Sequence, residues 1–287
     1  MSIEHARAHI VAKPWGVLDL HPWSNENTEG KTIGEIWFER SDSTARKTSL
    51  LLKLLFTNEP LSIQVHPDDA YAHSIGLPNG KTEAWHILSA EAGAKVAVGL
   101  NRRLDPEQFR NAVATGSISE EVPWRAVSPG DTIFVPAGTI HAIGAGLVIA
   151  EIQQRSDTTF RLFDYGRQRE LHIDSALAVA DAGPAELLTH PSRLTDQRTL
   201  LATSAQFELE RFEFPPNSSW EMNADRETWL LVLSGEARAG PLNVIGGDVV
   251  FAQFDWVEIH AGEAGLTGLL ARAKNPIGID KQLEALQ

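Results

Sequence analysis

The sequence predicts a mainly β protein built from two jelly-roll β-sandwich domains with a few short helices. Short apolar runs, separated by turns rich in Gly, Pro, Asn and Asp, follow one another along most of the chain. That spacing favours a sandwich or a barrel. The second observation is an internal repeat, because a Gly-Asp pair opens an apolar run both at 129–143 and at 246–259.

The first half of the chain contains eight segments with the composition of strands, interrupted by two helical patterns. One helix is expected from 105 to 115, where Asp105 can cap the first turn and Pro106 occupies its first position. The other is expected from 173 to 182. The predicted strands lie at 33–40, 48–56, 61–66, 83–88, 94–100, 131–137, 146–154 and 158–166.

A polar segment with two prolines, at 182–196, follows the second helix and is typical of a connection between domains. We therefore predict an N-terminal catalytic domain at 1–185, which holds the metal site, and a C-terminal domain at 186–287. Further strands are expected in the second domain, at 206–214, 228–238, 247–253 and 256–261.

The composition restricts the class of protein. The 287 residues carry a formal net charge of −13, which argues against a nucleic-acid partner because phosphate backbones require clustered positive charge. The chain has no cysteine, so His, Asp, Glu and Gln remain as metal ligands. We find no apolar run of membrane-spanning length and no secretion signal, and expect a cytoplasmic protein with no membrane partner.

Two short segments offer polar side chains to one site. If LSIQVH is a strand, Ser62, Gln64 and His66 share one face while the apolar side chains pack behind them. The run KTEAWHIL has the same period, so Lys81 and Glu83 are expected to point the same way from a neighbouring strand. A polar row backed by an apolar row suits a site inside a barrel.

The most specific single motif runs from Gly130 to His141. Its spacing, Gly, five residues, Pro-Ala-Gly, two residues and His, is similar to the second sequence motif of the cupins, which are small double-sheet jelly rolls. We interpret both domains as cupin-type. The second half has Gln253, Asp255 and Glu258 where the first has Pro136, Gly138 and His141, so we expect a degenerate cupin without metal ligands there.

The candidate ligands combine two imidazoles, one carboxylate and one amide oxygen, and they are Gln64, His66, Glu83 and His141. Such a set suits zinc, and also iron, cobalt or manganese. His73, in the turn between the two ligand segments, is a weaker candidate for contact with a substrate. His86 is expected to face away from Glu83.

Six motifs in the first two thirds of the chain resemble those of the type I mannose-6-phosphate isomerases, which are zinc-dependent cupins. They occur in the family's order, and the chain, without a large helical insertion, is similar to the compact bacterial form. The motifs are KPWG at 13–16, IGEIWF at 33–38, LSIQVHPDDAYA at 61–72, GKTEAW at 80–85, PAGTIHAIGAG at 136–146 and EIQQRSDTTFRLFDYGR at 151–167.

This resemblance implies a role for each candidate residue. It implies that Arg161 is the catalytic arginine beside the transferred proton, and that Lys81 is an acid/base or substrate-orienting lysine. The implied ligands of one zinc ion per chain are Gln64, His66, Glu83 and His141, and the implied phosphate-binding residues are Ser62, Lys53 and Arg167.

The resemblance also implies a reaction. Mannose 6-phosphate and fructose 6-phosphate would interconvert by proton transfer between C2 and C1 through a cis-enediol, in a monomer or homodimer. The carrier of that proton stays open among a metal-bound water, Glu83, Asp157, His73 and Lys81. Each is a group that can exchange a proton near neutral pH in a suitable environment.

Three alternatives also stay open. The chain can be a cupin isomerase acting on another phosphosugar, a non-catalytic sugar-phosphate-binding cupin, or an iron cupin that activates dioxygen, although the last leaves the basic residues unexplained. Locally, Arg161 can pair with Asp157 or Asp164 instead of a substrate. Lys53, within an apolar strand, requires a phosphate or a carboxylate as its partner.

Overall fold

The computed structural model describes residues 3–274, which form twenty strands and four short helices. Strands β1 to β20 are, in chain order, Ile3–His5, Arg7–Val17, Ile33–Glu39, Leu50–Thr57, Ile63–Val65, Glu83–Ala90, Lys95–Val98, Trp124–Ala126, Thr132–Val135, His141–Ile143, Leu147–Gln154, Phe160–Phe163, Ser192–Arg193, Arg198–Thr203, Phe207–Phe214, Ser219–Ala224, Thr228–Ala239, Leu242–Ile245, Val249–Ala252 and Asp255–Ala273. Helices α1 to α4 are Asp69–Ser74, Pro106–Thr115, Ile118–Glu121 and Ile173–Val179.

The strands pair antiparallel in three sheets. A six-stranded sheet has the order β2-β3-β4-β11-β6-β9, and a five-stranded sheet has the order β12-β5-β10-β7-β8. Both belong to the first half of the chain. The third sheet has nine strands, in the order β1-β19-β17-β20-β15-β14-β13, with β16 paired to β20 and β18 to β17.

The six- and five-stranded sheets face each other as a sandwich. Their facing sides bury an apolar core in which Leu55 and Trp85 of the first sheet meet Val96 and Ile143 of the second. Antiparallel sheets pack in this way when alternate side chains along each strand point inward. The candidate metal centre lies between these two sheets.

Helices cover the outer side of the five-stranded sheet. Ile63 and Val65 of β5 pack there with Phe109 and Val113 of α2 and with Ala176 of α4. Because β5 is buried on this side, only its other side can present polar groups to the interior of the sandwich.

The outer side of the six-stranded sheet packs against the second half of the chain. Leu52 and Leu54 of β4 contribute to the same core as Trp229 of β17 and Phe251 of β19. The nine-stranded sheet also curls over a core of its own, which includes Leu230 and Ile259. Strand β1 pairs with β19, so the N-terminal residues 3–5 complete the sheet of the second half.

The eight strands predicted in the first half are confirmed, with shorter limits for most. The helix predicted from 105 to 115 is also confirmed. The Asp105 carboxylate accepts a hydrogen bond from Gln108 N at 2.8 Å, and the Gln108 side chain accepts one from Asp105 N at 3.3 Å. This reciprocal capping satisfies amides that the first helical turn leaves unpaired.

The structure differs from the sequence prediction at several elements. Among those that were not predicted are α3, β8, β10, β13, β14, β16 and β18. The second helix ends at Val179, three residues before the predicted end. The segment after His66, predicted as turn, contains α1, because the Asp68 carboxylate accepts a hydrogen bond from Tyr71 N and caps it. Strands β1 and β2 were not predicted, because their charged and apolar residues mix in a weak pattern.

The internal repeat is visible in the backbone. Gly130 and Gly247 have φ angles of 94° and 93°, a region that glycine adopts without strain. In both turns the following Asp side chain accepts a hydrogen bond from the amide three residues earlier, at 2.8 Å in the first and 2.9 Å in the second. The two Gly-Asp pairs therefore build the same turn before β9 and β19.

The helices of the structure are short. No helix within residues 3–274 is long and apolar enough to cross a membrane.

Candidate metal centre and substrate cavity

Strand β5 and the residue after it form one wall of the candidate metal centre. Ile63 and Val65 are fully buried under the helices, so Gln64 and His66 point to the opposite side, into the sandwich. The sequence predicted this alternation correctly. His66 is 1% exposed, which places its imidazole in the protein interior.

Glu83 reaches the same place from β6. The prediction that β6 neighbours β5 was wrong, because β5 pairs with β10 and β12 whereas β6 pairs with β9 and β11. The two strands belong to facing sheets. Their polar side chains therefore meet across the interior of the sandwich and not side by side along one sheet.

His141 is the first residue of β10 and is paired with Gln64 of β5. The loop before it turns at Gly138, which has a φ of 86° and donates its amide hydrogen to the His66 carbonyl at 2.8 Å. A Cβ at this glycine would lie 3.0 Å from the Val179 carbonyl oxygen. Glycine is thus required both by the conformation and by the close packing.

His66, Glu83 and His141 form a buried cluster whose ligand atoms all lie within 4.8 Å of one another. Glu83 Oε2 is 3.6 Å from His66 Nε2, and Glu83 Oε1 is 3.5 Å from His141 Nε2. The Gln64 side-chain amide lies 3.3 Å from His141 Nε2. Rotation of that amide about its last bond would turn its oxygen toward the same point.

Both imidazoles are held in the form that binds a metal. His66 Nδ1 donates to the Thr158 carbonyl at 2.8 Å and His141 Nδ1 to the Thr139 carbonyl at 2.9 Å, which directs each Nε2 into the cluster. Burial lowers the pKa of His66 well below its usual value and that of His141 to about 4. Neutral imidazoles are therefore present near pH 7.

The cluster fits a divalent cation. Glu83 is 1% exposed, and its Oε2 has the Lys81 ammonium 3.0 Å away as a charge partner. A carboxylate buried beside two imidazoles is costly to desolvate, and a bound cation would stabilise it. Two neutral Nε2 atoms beside it complete a nitrogen and oxygen donor set of the kind that zinc prefers.

Lys81 lies against the cluster and keeps its charge. Its Nζ is 3.0 Å from both His66 Nε2 and Glu83 Oε2. Burial opposes the charge, but the Glu83 and Glu151 carboxylates outweigh burial and raise the pKa of Lys81. An ammonium group is therefore present at the edge of the cluster at neutral pH.

A polar cavity of about 100 Å³ opens beside the cluster. Its walls come from β2, β3, β4, β5, β6, β10, β11 and β12, together with residues that flank β5, β6 and β12. The polar and aromatic residues that line it are Lys13, Trp15, Glu35, Lys53, Ser62, Gln64, Lys81, Glu83, Glu151, Asp157, Thr159, Arg161 and Arg169.

Arg161 belongs to this wall and is paired with Gln64 between β12 and β5. Its Nε is buried and has no hydrogen-bond partner among the described residues. Burial, and next the positive charge of Arg169, lower the pKa of Arg161. The salt bridges of Asp164 are formed with Arg167 and Arg169, so a local pair between Asp164 and Arg161 is not present.

The structure brings two of the three predicted phosphate-binding residues to the cavity. Ser62 lines it and donates a hydrogen bond to Gln64 Oε1 at 3.0 Å. Lys53 also lines it, with its ammonium 3.5 Å from Glu151, 3.9 Å from Glu35 and over the ring of Trp37.

Arg167, the third residue, does not line the cavity. Its guanidinium donates to the Pro60 carbonyl at 2.6 Å and forms salt bridges with Asp164 and Glu59. Arg169, two residues later, occupies the cavity wall instead. Its guanidinium makes two hydrogen bonds to the Asp164 carboxylate, at 2.6 and 2.7 Å.

Sequence reasoning missed Lys13, Glu35, Glu151 and Arg169. Lys13 is 3.2 Å from Glu35, so the cavity wall alternates positive and negative side chains from β2 across β3 and β4 to β11. Burial and the neighbouring Glu83 raise the pKa of Glu151. Charged residues within the apolar strands 33–40 and 146–154 were the available signal.

The remaining histidines lie outside the cluster. His73 is on α1 and makes a hydrogen bond to the Pro78 carbonyl, away from the cavity lining. His86 faces away from Glu83 as predicted, and its Nδ1 is 2.9 Å from Thr132 Oγ1.

No protein-family model matches the chain. A mannose-6-phosphate isomerase of Streptococcus mutans is 35% identical over 244 residues, which cover 80% of this chain and 75% of the relative. This chain belongs to the mannose-6-phosphate isomerase family. The mannose-6-phosphate isomerase ManA of Bacillus subtilis is 32% identical over 78% of this chain and 73% of its own length.

Solved members of the mannose-6-phosphate isomerase family share the fold. The crystal structure of the mannose 6-phosphate isomerase from Bacillus subtilis matches 95% of this chain and 100% of its own, with a TM-score of 0.82 and 23% identity. A mannose 6-phosphate isomerase described as zinc-bound matches 96% of this chain and 100% of its own, with a TM-score of 0.73 and 16% identity. The predicted mainly β, cupin-type fold is confirmed.

Proposed function

We propose that this chain is a zinc-dependent aldose-ketose isomerase that interconverts mannose 6-phosphate and fructose 6-phosphate. The observation that carries the proposal is the buried His66, Glu83 and His141 cluster at the wall of a cavity lined by cationic side chains. The curated relatives, 32 to 35% identical over about four fifths of the chain, are named for this reaction.

The ligands in this proposal are His66, Glu83 and His141, with Gln64 as the fourth. A bound zinc ion supplies a Lewis acid that polarises the sugar carbonyl and orients its two oxygens. The Thr158 and Thr139 carbonyls, which accept the Nδ1–H groups, keep both imidazoles in the required tautomer. One ion per chain is expected, because residues 3–274 contain one such cluster.

The reaction moves one proton from C2 to C1 and one from O2 to O1, and it changes no overall charge. A base removes the proton from C2 of the aldose, O2 loses its proton as the new carbonyl forms, and O1 gains one. Return of the carbon proton to C1 then gives the ketose. The enediol between these steps carries developing negative charge on oxygen, so a favourable site must hold positive groups near O1 and O2.

Lys81 and Arg161 provide those groups in the proposal. Lys81 is buried, charged and in contact with the ligand set, which suits donation of a hydrogen bond to O1 or O2. Arg161 has an unpartnered buried Nε and lines the same cavity. Its guanidinium cannot lose its proton under ordinary conditions, so it stabilises charge and does not act as the base.

We propose that Asp157 is the base that removes the proton from C2 and returns it to C1. This residue lines the cavity, and its carboxylate makes no hydrogen bond or salt bridge within residues 3–274. The Lys81 ammonium holds its proton too firmly to act as a base, Glu83 is engaged with the ligand set, and His73 lies outside the cavity lining. An Asp157→Asn variant that retained the wild-type kcat would remove Asp157 from this role.

For the phosphate we propose Arg169 beside Arg161, with Ser62 as a hydroxyl donor. Arg161 has no carboxylate partner within hydrogen-bond distance among the described residues, so its guanidinium can form two parallel hydrogen bonds to a phosphate. Arg169 lies close enough to disfavour the charge of Arg161. Arg169 already gives its Nε and Nη2 to the Asp164 carboxylate, so it would offer the phosphate its Nη1. Lys13 and Lys53 also pair with carboxylates of the cavity wall.

The phosphate assignment is tested by comparing two neighbouring arginines. Arg169→Gln is expected to raise the KM for mannose 6-phosphate about tenfold or more, since a hydrogen bond to a charged group contributes about 1.5–3 kcal/mol. Arg167→Gln, on the residue that the fold directs to Pro60, is expected to raise KM less. A larger effect at Arg167 than at Arg169 would return the phosphate to the position implied by the sequence motif.

The reaction itself is tested by incubating the protein with mannose 6-phosphate and measuring fructose 6-phosphate in a coupled assay. Activity is expected, with loss on treatment with a chelator and recovery on addition of zinc. Absence of product with zinc fully loaded contradicts the proposal. Binding of the sugar phosphate without turnover then identifies a binding protein, and turnover of another phosphosugar identifies a relative with a different substrate.

Metal analysis of the purified protein distinguishes the zinc isomerase from an iron cupin that activates dioxygen. Zinc at one equivalent per chain is expected in the purified protein. Iron together with oxygen consumption would identify a dioxygen-activating cupin instead.

The setting of the enzyme completes the proposal. We propose a cytoplasmic enzyme that acts as a monomer or homodimer, with residues 1–185 as its catalytic domain and 186–287 as a domain without metal ligands. The sugar-phosphate substrate of the proposed reaction supports a cytoplasmic location. Sedimentation of the purified chain measures its oligomeric state.

A further inference from the structure

A second cavity lies inside the sheet that the C-terminal half curls over itself. Its volume is about 170 Å³, and it opens between β14, β15, β16 and β20. Apolar side chains form most of its wall, among them Phe212, Met222 and Leu230. The Phe214 and Trp220 rings, which also line it, are stacked with centroids 4.3 Å apart and planes 5° apart.

Arg272 lines this apolar cavity, although it is 8% exposed. Its Nη1 lies 3.2 Å from Glu210 Oε1, while its Nε is buried and has no hydrogen-bond partner in the part of the chain that the structure describes. A buried guanidinium with an unused donor is costly, because the lost hydration is not replaced. Arg272 therefore keeps a donor beside this cavity that Glu210 does not use.

The neighbouring carboxylate does not compensate both cations of the cavity. Arg198, which also lines it, donates two hydrogen bonds to Glu210 Oε2, at 2.9 and 2.6 Å. Glu210 thus serves Arg198 and Arg272 together. The Glu208 charge also acts on Arg272, but Glu208 pairs with Arg226 and Lys274. One more negative charge next to Arg272 would therefore balance the cations around it.

We infer that this second jelly roll binds a small carboxylate that carries a flat apolar ring. The carboxylate would accept from Arg272, and the ring would lie against the aromatic wall, where apolar contact and stacking both contribute. An apolar protein cavity of about 150 Å³ is large enough for benzene, so the cavity has the size for a single ring. Most ligand pockets combine an apolar lining with few polar groups in this way.

The carboxylates near this cavity favour a ligand with one negative charge over a phosphate dianion. Glu221 lines the cavity at an exposed position and is paired across the sheet with Glu258. A second negative charge on the ligand would meet these carboxylates, since the interior provides one unsatisfied cation and not two. The site therefore differs in chemistry from the sugar-phosphate cavity of the first half.

The inference is tested with benzoate as the probe, titrated into the zinc-loaded full chain by calorimetry. Saturable binding to one site per chain is expected. Arg272→Met is expected to weaken it about tenfold or more, as for other hydrogen bonds to a charged group. Thermal unfolding of the variant checks that it remains folded.

A second variant avoids any change to the buried cation. Asn223→Trp narrows the entrance, where Asn223 lines the cavity, and is expected to abolish benzoate binding while leaving Arg272 in place. Arg161→Ala, at the cavity of the first half, is the matched control and is expected to bind benzoate as tightly as the wild type. This outcome does not depend on the isomerase assignment.

Three results would overturn the inference. They are absence of saturable benzoate binding to the folded wild type, unchanged affinity in both Arg272→Met and Asn223→Trp, and loss of binding in Arg161→Ala. The last result would move the probe to the sugar-phosphate cavity.

Discussion

Glu83 and Glu227 each lie two residues before a fully buried tryptophan and each accept a hydrogen bond from its indole nitrogen, at 3.0 and 2.9 Å. Glu83 and Trp85 belong to β6, whereas Glu227 immediately precedes β17, which contains Trp229. Both strands meet a Gly-Asp turn. Glu83 points into the sandwich beside two imidazoles. Glu227 points to the interface between the two halves, where it accepts hydrogen bonds from the amides of Ser49 and Leu50.

The difference between the halves is one residue of register. Ile87 and Val232 occupy equivalent positions, because each donates its amide to the aspartate carbonyl of its Gly-Asp turn at 2.9 Å. Glu83 lies four residues before Ile87, whereas Glu227 lies five residues before Val232. Side chains alternate along a strand, so the odd spacing moves the glutamate and its tryptophan to the opposite side of the sheet.

The Glu-x-Trp pattern therefore does not by itself make a metal site. In the first half the carboxylate meets imidazoles from the facing sheet. In the second half the same carboxylate joins the two halves, and its hydrogen bonds to backbone amides satisfy it fully. The chemistry follows from what lies opposite.

The largest difference between the two glutamates is expected when each is replaced by glutamine. We expect Glu83→Gln to lose zinc and with it the isomerase activity, because the neutral amide replaces the one carboxylate of the cluster. Zinc content by atomic spectroscopy and turnover of mannose 6-phosphate measure the two effects. Glu227→Gln is the matched control and is expected to retain one zinc per chain. A Glu83→Gln protein with full zinc would show that the cluster is not the metal site.

The next largest effect is expected at Arg161. Arg161→Ala should keep its zinc and lose about 10²–10³-fold in kcat, the usual cost of removing one charge-stabilising donor from an active site. Zinc content and steady-state kinetics are measured on the same sample. Arg193→Ala, on an exposed arginine of the second half, is the control substitution. Unchanged turnover in Arg161→Ala would exclude this residue from the chemistry.

His86 tests the interface between the halves through pH. Burial, and next the charge of Arg211, lower the pKa of His86 to about 4. The folded protein therefore holds a neutral His86 while the unfolded chain takes up a proton below pH 6.5. Above pH 6.5 His86 is neutral in both states and does not reduce the free energy of unfolding. As the pH falls from 6.5 toward 4, protonation of His86 in the unfolded chain lowers the free energy of unfolding by about 3 kcal/mol in total.

We expect His86→Gln to lose less free energy of unfolding than the wild type between pH 7 and pH 4. Denaturant unfolding at several pH values measures the difference. His260→Gln, on an exposed strand of the second half, is the control and is expected to follow the wild type. Parallel pH profiles for His86→Gln and the wild type would contradict the prediction.

The smallest effect is expected at Glu227. Glu227→Gln should lower the free energy of unfolding by about 1–3 kcal/mol. The Glu227 carboxylate accepts hydrogen bonds from two backbone amides with its two oxygens, whereas the glutamine side chain has one oxygen and faces the other amide with an NH₂ donor. Denaturant unfolding of the zinc-loaded protein measures it. A loss of stability without loss of zinc would separate the role of Glu227 from that of Glu83. Unchanged stability would show that the amides of Ser49 and Leu50 find water as a substitute.

Particular residues show how far the sequence reaches. The alternation at Gln64 and His66, the cap at Asp105 and the Gly130 turn follow from local patterns, and each is found in the structure. Arg169 was not predicted, because its place in the cavity wall depends on the bend of the chain after β12. Nothing local separates it from Arg167.

The sequence by itself determined the mainly β class, the helix at 106–115, the repeated Gly-Asp turn and a set of candidate residues for a metal site. These features depend on backbone propensity, side-chain period and the chemistry of single residues, which act over a few positions. The tertiary structure decided which glutamate meets the imidazoles, that β5 and β6 belong to facing sheets, and that Arg169 lines the cavity. Those outcomes depend on strand register and sheet packing, which bring together residues far apart in the chain.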